Sequence, residues 1–243
     1  MRNAGWGTIP AVRFDSNADL PEREWGRYGI LLAALLVHLA VLPFLPGDAA
    51  GGILLRLGLS VVILAGMLIA SRSSKALWIA LVLAIPVLAL NWTAGQYHIP
   101  AARLAAPLSS ALFLTFTLGV VVKTIFLERR VTLDEILGGV IVYLLIGIVF
   151  SQLHYAMELA HPGAYLLGDV ALSSTSSGSD WHLLLSFRYY SFTTLTTLGY
   201  GDIRPVLHAA RMLSTGEALM GQLYLAIFVA RLVGAHISQR GDS

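Results

Sequence analysis

The chain predicts an all-α membrane protein: six transmembrane helices, with a re-entrant helix and an extended segment between the fifth and the sixth. Three observations predict it. Of 243 residues, 56% are hydrophobic and 12% charged, where a soluble domain carries about 25% charge; the mean hydropathy is +0.73. The apolar residues gather into blocks near the roughly 20 residues an α-helix needs to cross a bilayer. Between the fifth and sixth blocks lies a long stretch with no plain helical pattern.

The same numbers exclude several classes of function. A net charge of +2 is too small to argue for a nucleic-acid partner. With no cysteine, disulfides, thiolate zinc sites and iron–sulfur clusters are ruled out. The histidines (His38, His98, His154, His161, His182, His208 and His236) are scattered and form no ligand pair. No clustered nucleophile, base and carboxylate, and no phosphate loop, points to an enzyme.

Taken in order, residues 1–28 form a polar segment containing Arg2, Arg13, Arg23 and Arg27, expected to be cytoplasmic. It lacks the short basic start and small-residue cleavage site of a signal peptide. The spans read Gly29–Leu45, Gly51–Ala70, Ala76–Trp92, Leu104–Leu127, Ile136–Leu159 and Leu207–Ala235. Separators carry breakers or charge: Pro46-Gly47-Asp48, Arg72-Ser73-Ser74-Lys75, Gly95 to Pro100 and Glu128-Arg129-Arg130. Residues 29–135 are expected to form a four-helix region and 136–235 a separate unit that holds the last two spans and the stretch between them. Residues 236–243 are expected to be a short cytoplasmic tail, too short for a nucleotide- or calcium-binding domain.

Orientation follows from the lysines and arginines. With both termini inside, eleven fall on the inner side (Arg2, Arg13, Arg23, Arg27, Arg72, Lys75, Lys123, Arg129, Arg130, Arg231, Arg240) and five on the outer (Arg56, Arg103, Arg188, Arg204, Arg211). An even number of spans with cytoplasmic ends satisfies that bias. The Ala/Leu/Gly-rich composition suggests a bacterial inner membrane.

Residues Thr193 to Asp202 read TTLTTLGYGD. Within them, Thr194-Leu195-Thr196-Thr197-Leu198-Gly199-Tyr200-Gly201 resembles the T-x-x-T-x-G-Y-G signature of potassium channels, with Leu198 where valine is usual. The resemblance covers Ile136 to Ala235, and Tyr190-Ser191-Phe192 is similar to two-pore-domain channels and their bacterial relatives, although a single filter occurs here. It implies a filter in which the carbonyls of Thr197, Leu198, Gly199 and Tyr200, with the Thr197 hydroxyl, replace the hydration shell of K+. It also implies a homotetramer, since one chain supplies one strand of such a tube.

The residue types suit that chemistry. Backbone carbonyls are neutral dipoles that release a cation more readily than carboxylates would. Aiming successive carbonyls at one axis needs alternating left-handed backbone, which Gly199 and Gly201 tolerate. Tyr200 is expected to point away from the pore as a spacer. An amphipathic helix over Trp181–Thr196 would direct its partly negative carboxyl end at the ion path. Irregular backbone within a membrane is tolerated only where protein encloses it or it lines a cavity.

Supporting roles come from the resemblance. Gly201, Asp202, Tyr189 and Thr193 would brace the filter; for Tyr189 a phenol-to-carboxylate bond with Asp202 and simple packing are both open. Arg204 sits where external tetraethylammonium would meet it, either repelling the cation or splayed into solvent. Gly221 falls at the position of a hinge glycine, with a close helix contact as the alternative. Gln222, Leu225 and Val229 would line a central cavity by helical spacing. Glu217 must be paired or protonated to lie in a membrane, with Arg188 a candidate partner and a pH sensor the alternative. The fourth span carries only Arg103 and Lys123, about 30 Å apart, so no arginine ladder predicts voltage sensing. The stretch after Ala160, including serine-rich Leu172–Asp180, is expected to be a flexible turret, an ordered cap being the alternative. K+ is then the permeant ion, with membrane lipid and further copies of this chain as the other partners.

Overall fold

The computed structural model describes residues 22–41, 44, 49–71, 73–97, 100–127, 133–175 and 180–241. Most of the polar segment 1–28, together with Arg72, His98, Arg129 and Arg130, lies outside the described residues. Helix α1 (Glu22–Leu36) continues into one π-helical stretch, Val37–Val41; then follow α2 (Ala49–Ala70), α3 (Ser74–Tyr97), α4 (Pro100–Leu127) and α5 (Leu133–Ala160). Strands β1 (Tyr165–Leu167) and β2 (Val170–Ala171) and a short α6 (Leu172–Thr175) precede α7 (Asp180–Leu195), β3 (Ile203–Pro205) and α8 (His208–Gly241).

Among the described residues five helices are long and apolar enough to cross a membrane, within α2, α3, α4, α5 and α8; a shorter apolar helix covers Tyr28–Ala40. Prolines sit inside α3 and α4 at Pro86 and Pro107. Each removes one ladder hydrogen bond, yet both helices continue around them.

The core lies where α1, α2, α4 and α5 meet: Leu31, Leu35, Ile63, Phe113, Leu114, Ile141, Leu145 and Ile148 are fully buried. Small residues let these helices approach. A methyl group at Gly66 would stand 2.9 Å from Thr117 Oγ1, and one at Gly138 2.7 Å from Ile125 Cδ1. Helix α5 is the central post, with 61% of its membrane-length stretch buried, against 11% for that of α8. The apolar surface of α8 is therefore largely uncovered by its own chain.

The segment after α5 departs from the turret expectation. Residues 161–175 form a folded cap whose sheet runs β2–β1–β3, all antiparallel, with Leu166 opposite both Ala171 and Arg204. The turn between β1 and β2 places Gly168 at φ +61°, the left-handed requirement of a tight two-residue hairpin. Glu158, at the end of α5, accepts hydrogen bonds from the backbone N–H of Gly163 (2.8 Å) and Tyr165 (3.0 Å). Gly-Asp turn chemistry at 168–169 was the available signal for this hairpin; the short strands have no alternation to reveal them.

Candidate pore site

Helix α7 is short because its sequence turns to threonine and glycine at Thr196. The Thr196 hydroxyl bonds back to the Phe192 carbonyl at 2.7 Å, and the backbone N–H of Thr197 to the Thr194 carbonyl at 3.0 Å. The helix thus ends in side-chain and turn hydrogen bonds. The Leu195 carbonyl accepts from the Tyr143 hydroxyl of α5 at 3.4 Å.

From there the chain runs as an extended segment in which every second residue is left-handed: Thr197 at φ +59°, Gly199 at +52° and Gly201 at +79°. The two glycines meet the sequence expectation for positive φ. Thr197 does not advertise itself, since a β-branched residue with positive φ is a genuine outlier. Such strain survives only where the surroundings over-determine it. Here Thr197 N–H is tied to the α7 terminus, and Gly199 N–H donates to the Thr193 carbonyl at 3.1 Å. The Thr193 hydroxyl itself donates to the Tyr190 carbonyl at 2.9 Å.

Leu198 and Tyr200 are 55% and 69% exposed in the single chain. The Tyr200 ring stacks on Tyr189 of α7, centroids 6.4 Å apart and planes 7° from parallel. Beyond Asp202 the chain is stitched to the cap: Gly168 N–H donates to the Asp202 carbonyl at 3.0 Å and Val206 N–H to Ala164 at 2.9 Å. Arg204 is not simply splayed into solvent. Its Nη2 donates to Asp169 Oδ1 at 2.6 Å, so part of its charge is offset by the hairpin.

Helix α8 passes behind and beneath this segment without a break. At Gly221 an added methyl group would lie 2.4 Å from the Leu195 carbonyl oxygen; close approach of α8 to the α7 terminus therefore demands glycine here. Gln222 Nε2 is 3.5 Å from Thr197 Oγ1. Leu225 and Val229 continue the same exposed face of α8, at 39% and 55% exposure.

Two polar assemblies that the sequence did not reveal hold α7 in place. In the first, Glu217 of α8 is buried and meets His154 of α5 (Nε2 to Oε2, 2.8 Å) and Ser191 of α7 (Oγ to Oε1, 2.5 Å). His154 Nδ1 is 2.5 Å from the Tyr165 hydroxyl of β1, and Ser191 Oγ is 2.6 Å from the Gly147 carbonyl of α5. Burial pushes the Tyr165 hydroxyl well above the ordinary phenol range, with Tyr190 and Glu217 adding to it, so it remains a donor. Beside them the Tyr190 and Ser214 hydroxyls lie 2.6 Å apart.

In the second, Arg188 of α7 is the partner not of Glu217 but of His38. Its Nη1 donates to the His38 carbonyl at 3.2 Å and its Nη2 pairs with the His38 ring. His38 lies in the π-helical stretch, where irregular helical bonding leaves a carbonyl open to an outside donor. Nothing in the spacing of residues 63 and 150 positions apart announces either pair.

Residues 139–236 match the family model described as "Ion channel". The chain is also 40% identical over 78 residues, 32% of its length, to the human protein "Potassium channel subfamily K member 17". That stretch is 23% of the human protein, so the chain spans about a quarter of the relative it matches. The matches support an ion-channel region, and the apolar helices support a multi-pass membrane protein.

Proposed function

We propose that the chain is one subunit of a homotetrameric potassium-selective channel, conducting K+ passively between carbonyls of Thr197, Leu198, Gly199 and Tyr200. The observation that carries this reading is the left-handed backbone at Thr197, Gly199 and Gly201 in the segment that follows the carboxyl end of α7. Alternation of this kind turns successive carbonyls toward one side, which suits the replacement of a hydration shell. The relative's printed name and the family match support the ion and the class.

A fourfold assembly explains two otherwise costly exposures. The polar backbone of 197–201 cannot face lipid unsatisfied, and the sparsely covered α8 needs neighbours. Four copies around one axis would enclose both, with α7 re-entrant, Gln222, Leu225 and Val229 facing the cavity, and Gly201, Asp202, Tyr189 and Thr193 bracing the filter. The short apolar helix and its π-helical stretch would supply a sixth crossing, in keeping with cytoplasmic termini and the lysine and arginine bias. Gly221 as a gating hinge remains part of the proposal, its close packing against Leu195 limiting the movement to one that separates α8 from α7. Weak voltage dependence follows from the missing arginine ladder.

The experiment is cation uptake into vesicles carrying the purified chain, paired with imaging of the particle. Potassium uptake far exceeding sodium uptake in a fourfold particle supports the reading; equal uptake or another symmetry overturns it.

A further inference from the structure

Beyond Gly221, α8 meets its neighbours through one face. Tyr224, Phe228 and Arg231 stand at i, i+4 and i+7 and so line up along the helix. The Tyr224 hydroxyl donates to the Gly139 carbonyl of α5 at 2.7 Å. The Phe228 ring stacks on Tyr224, planes 10° from parallel, and sits over Gly139, where an added methyl group would stand 2.0 Å from its Cζ. One turn further on, Nη2 of Arg231 donates to the Ile125 carbonyl of α4 at 2.6 Å.

Ile125 lies in the last turn of α4, which ends at Leu127. Carbonyls in a last helical turn have no donor within their own helix and share the partial negative charge of that end. A guanidinium answers both needs, and a hydrogen bond from a charged donor is about twice as strong as a neutral one.

Packing contributes less here. Between α4, α5 and α8 lies an apolar cavity of about 130 Å³, walled by Val122, Ile125 and Val142 on one side and by Tyr224, Ile227 and Phe228 on the other. Side chains that do not touch across such a space forfeit their dispersion contacts, and only 11% of the membrane-length stretch of α8 is buried. Two polar bonds therefore bear much of the attachment. Arg231 has the longer lever, ten residues or about 15 Å beyond Gly221.

We infer that Arg231 is a clasp: its bond to the end of α4 holds the far part of α8 against the outer helices, and through it the four-helix region sets how wide the pore stands. The statement about the pore rests on the fourfold reading above, in which Gln222, Leu225 and Val229 face the shared axis. In that assembly Tyr224 and Arg231 turn away from the axis. A clasped α8 then leaves the path open, and a released α8 swings about Gly221 toward the axis and narrows it. The helices before α5 act on conduction without moving any charge through the field.

The test has two readouts on the full chain. The sequence contains no cysteine, so spin labels attached through Lys123→Cys on α4 and Ile237→Cys on α8, both exposed positions, report one distance by pulsed electron paramagnetic resonance. Labelled chain is diluted into excess unlabelled chain so that each particle carries one labelled copy, with and without R231M in every copy. R231M should lengthen this distance. In single-channel recordings without labels it should lower the open probability about tenfold, the worth of one charged hydrogen bond, at unchanged unitary conductance. R231K, which keeps the charge and a single donor group, should recover part of both effects and serves alone where R231M does not assemble. A bond that only stabilised the fold would lower the melting temperature and leave each surviving channel opening as before, and that result overturns the inference. An unchanged label distance overturns it as well. If the unaltered chain carries no potassium current, the channel reading falls, while the distance still decides whether Arg231 clasps α8 to α4.

Discussion

The carboxyl group of Glu217 lies 2.8 Å from Nε2 of His154, joining α8 to α5 directly behind α7. With Tyr165 donating to His154 Nδ1, the ring's proton sits on Nε2 and is given to Glu217 Oε2. Ser191 has one hydroxyl proton and two acceptors within reach, the Gly147 carbonyl and Glu217 Oε1. Every group is satisfied at once when Ser191 donates to Gly147 and a neutral Glu217 donates to Ser191.

That arrangement predicts opposite outcomes for two substitutions. Glu217→Gln supplies an N–H to Ser191 and a carbonyl to His154, and should assemble and melt within a few degrees of the unaltered protein. Glu217→Leu strands His154 and Ser191, at about 1–3 kcal/mol each, and should lower the melting temperature clearly. Thermal unfolding of both in one detergent checks this; a Gln variant as damaged as the Leu variant would contradict the neutral arrangement.

Gly221 and Gly119 make a second pair. A methyl group at Gly221 meets the Leu195 carbonyl, whereas one at Gly119 meets nothing within 4 Å. Gly221→Ala should therefore cost about 1–3 kcal/mol as overpacking and impair conduction by displacing the α7 terminus. Gly119→Ala should be neutral or stabilising by about 0.5–1 kcal/mol. Melting curves and vesicle flux on the two variants provide the check.

At Gly199 space is not the obstacle, since no atom lies within 4 Å of an added methyl group; the φ of +52° is. Gly199→Ala forces an L-residue into left-handed backbone at about 1–2 kcal/mol per strand. Potassium flux should drop at least about tenfold while assembly, followed by gel filtration, survives.

Much of this fold was legible because membrane helices must be long and apolar. The reading of Ala76–Trp92 against the observed Ser74–Tyr97, or Ile136–Leu159 against Leu133–Ala160, differs only at the ends, where polar residues extend a helix beyond its apolar stretch. The glycines at 199 and 201 were legible for a related reason, left-handed backbone having a cheap residue. Thr197 was not, because its φ is imposed by the hydrogen bonds around it. Nor were Glu217–His154 and Arg188–His38, which depend on how helices rotate against one another. The first paired Glu217 with a residue that carried no pattern; the second diverted Arg188 to a π-helical carbonyl.

Tyr189 offers a kinetic prediction. Its ring stacks on Tyr200 and, in the proposed filter, its hydroxyl bonds to the Asp202 carboxylate, so Tyr189→Phe keeps the stacking and removes that bond. Current should decay faster in patch recordings under sustained opening, with unitary conductance little changed. Decay kinetics identical to the parent would leave the ring, not the hydroxyl, as the bracing element.

The four helices before α5 carry a sparse charge pattern, and a charge crossing the whole field is worth about 2.3 kcal/mol per 100 mV. Arg103 and Lys123 sit near opposite ends of α4, so neither is placed to traverse it. The conductance–voltage relation of the purified channel should be shallow. A steep sigmoid would require moving charge in these helices and would contradict this reading.

The most direct measurement is the reversal potential of a bilayer holding the purified chain, with potassium on one side and an equal concentration of sodium on the other. Carbonyl coordination by residues 197–200 predicts a reversal far from zero, on the side set by potassium leaving its own compartment. A reversal at zero, with both cations carrying current equally, would contradict the account at its centre.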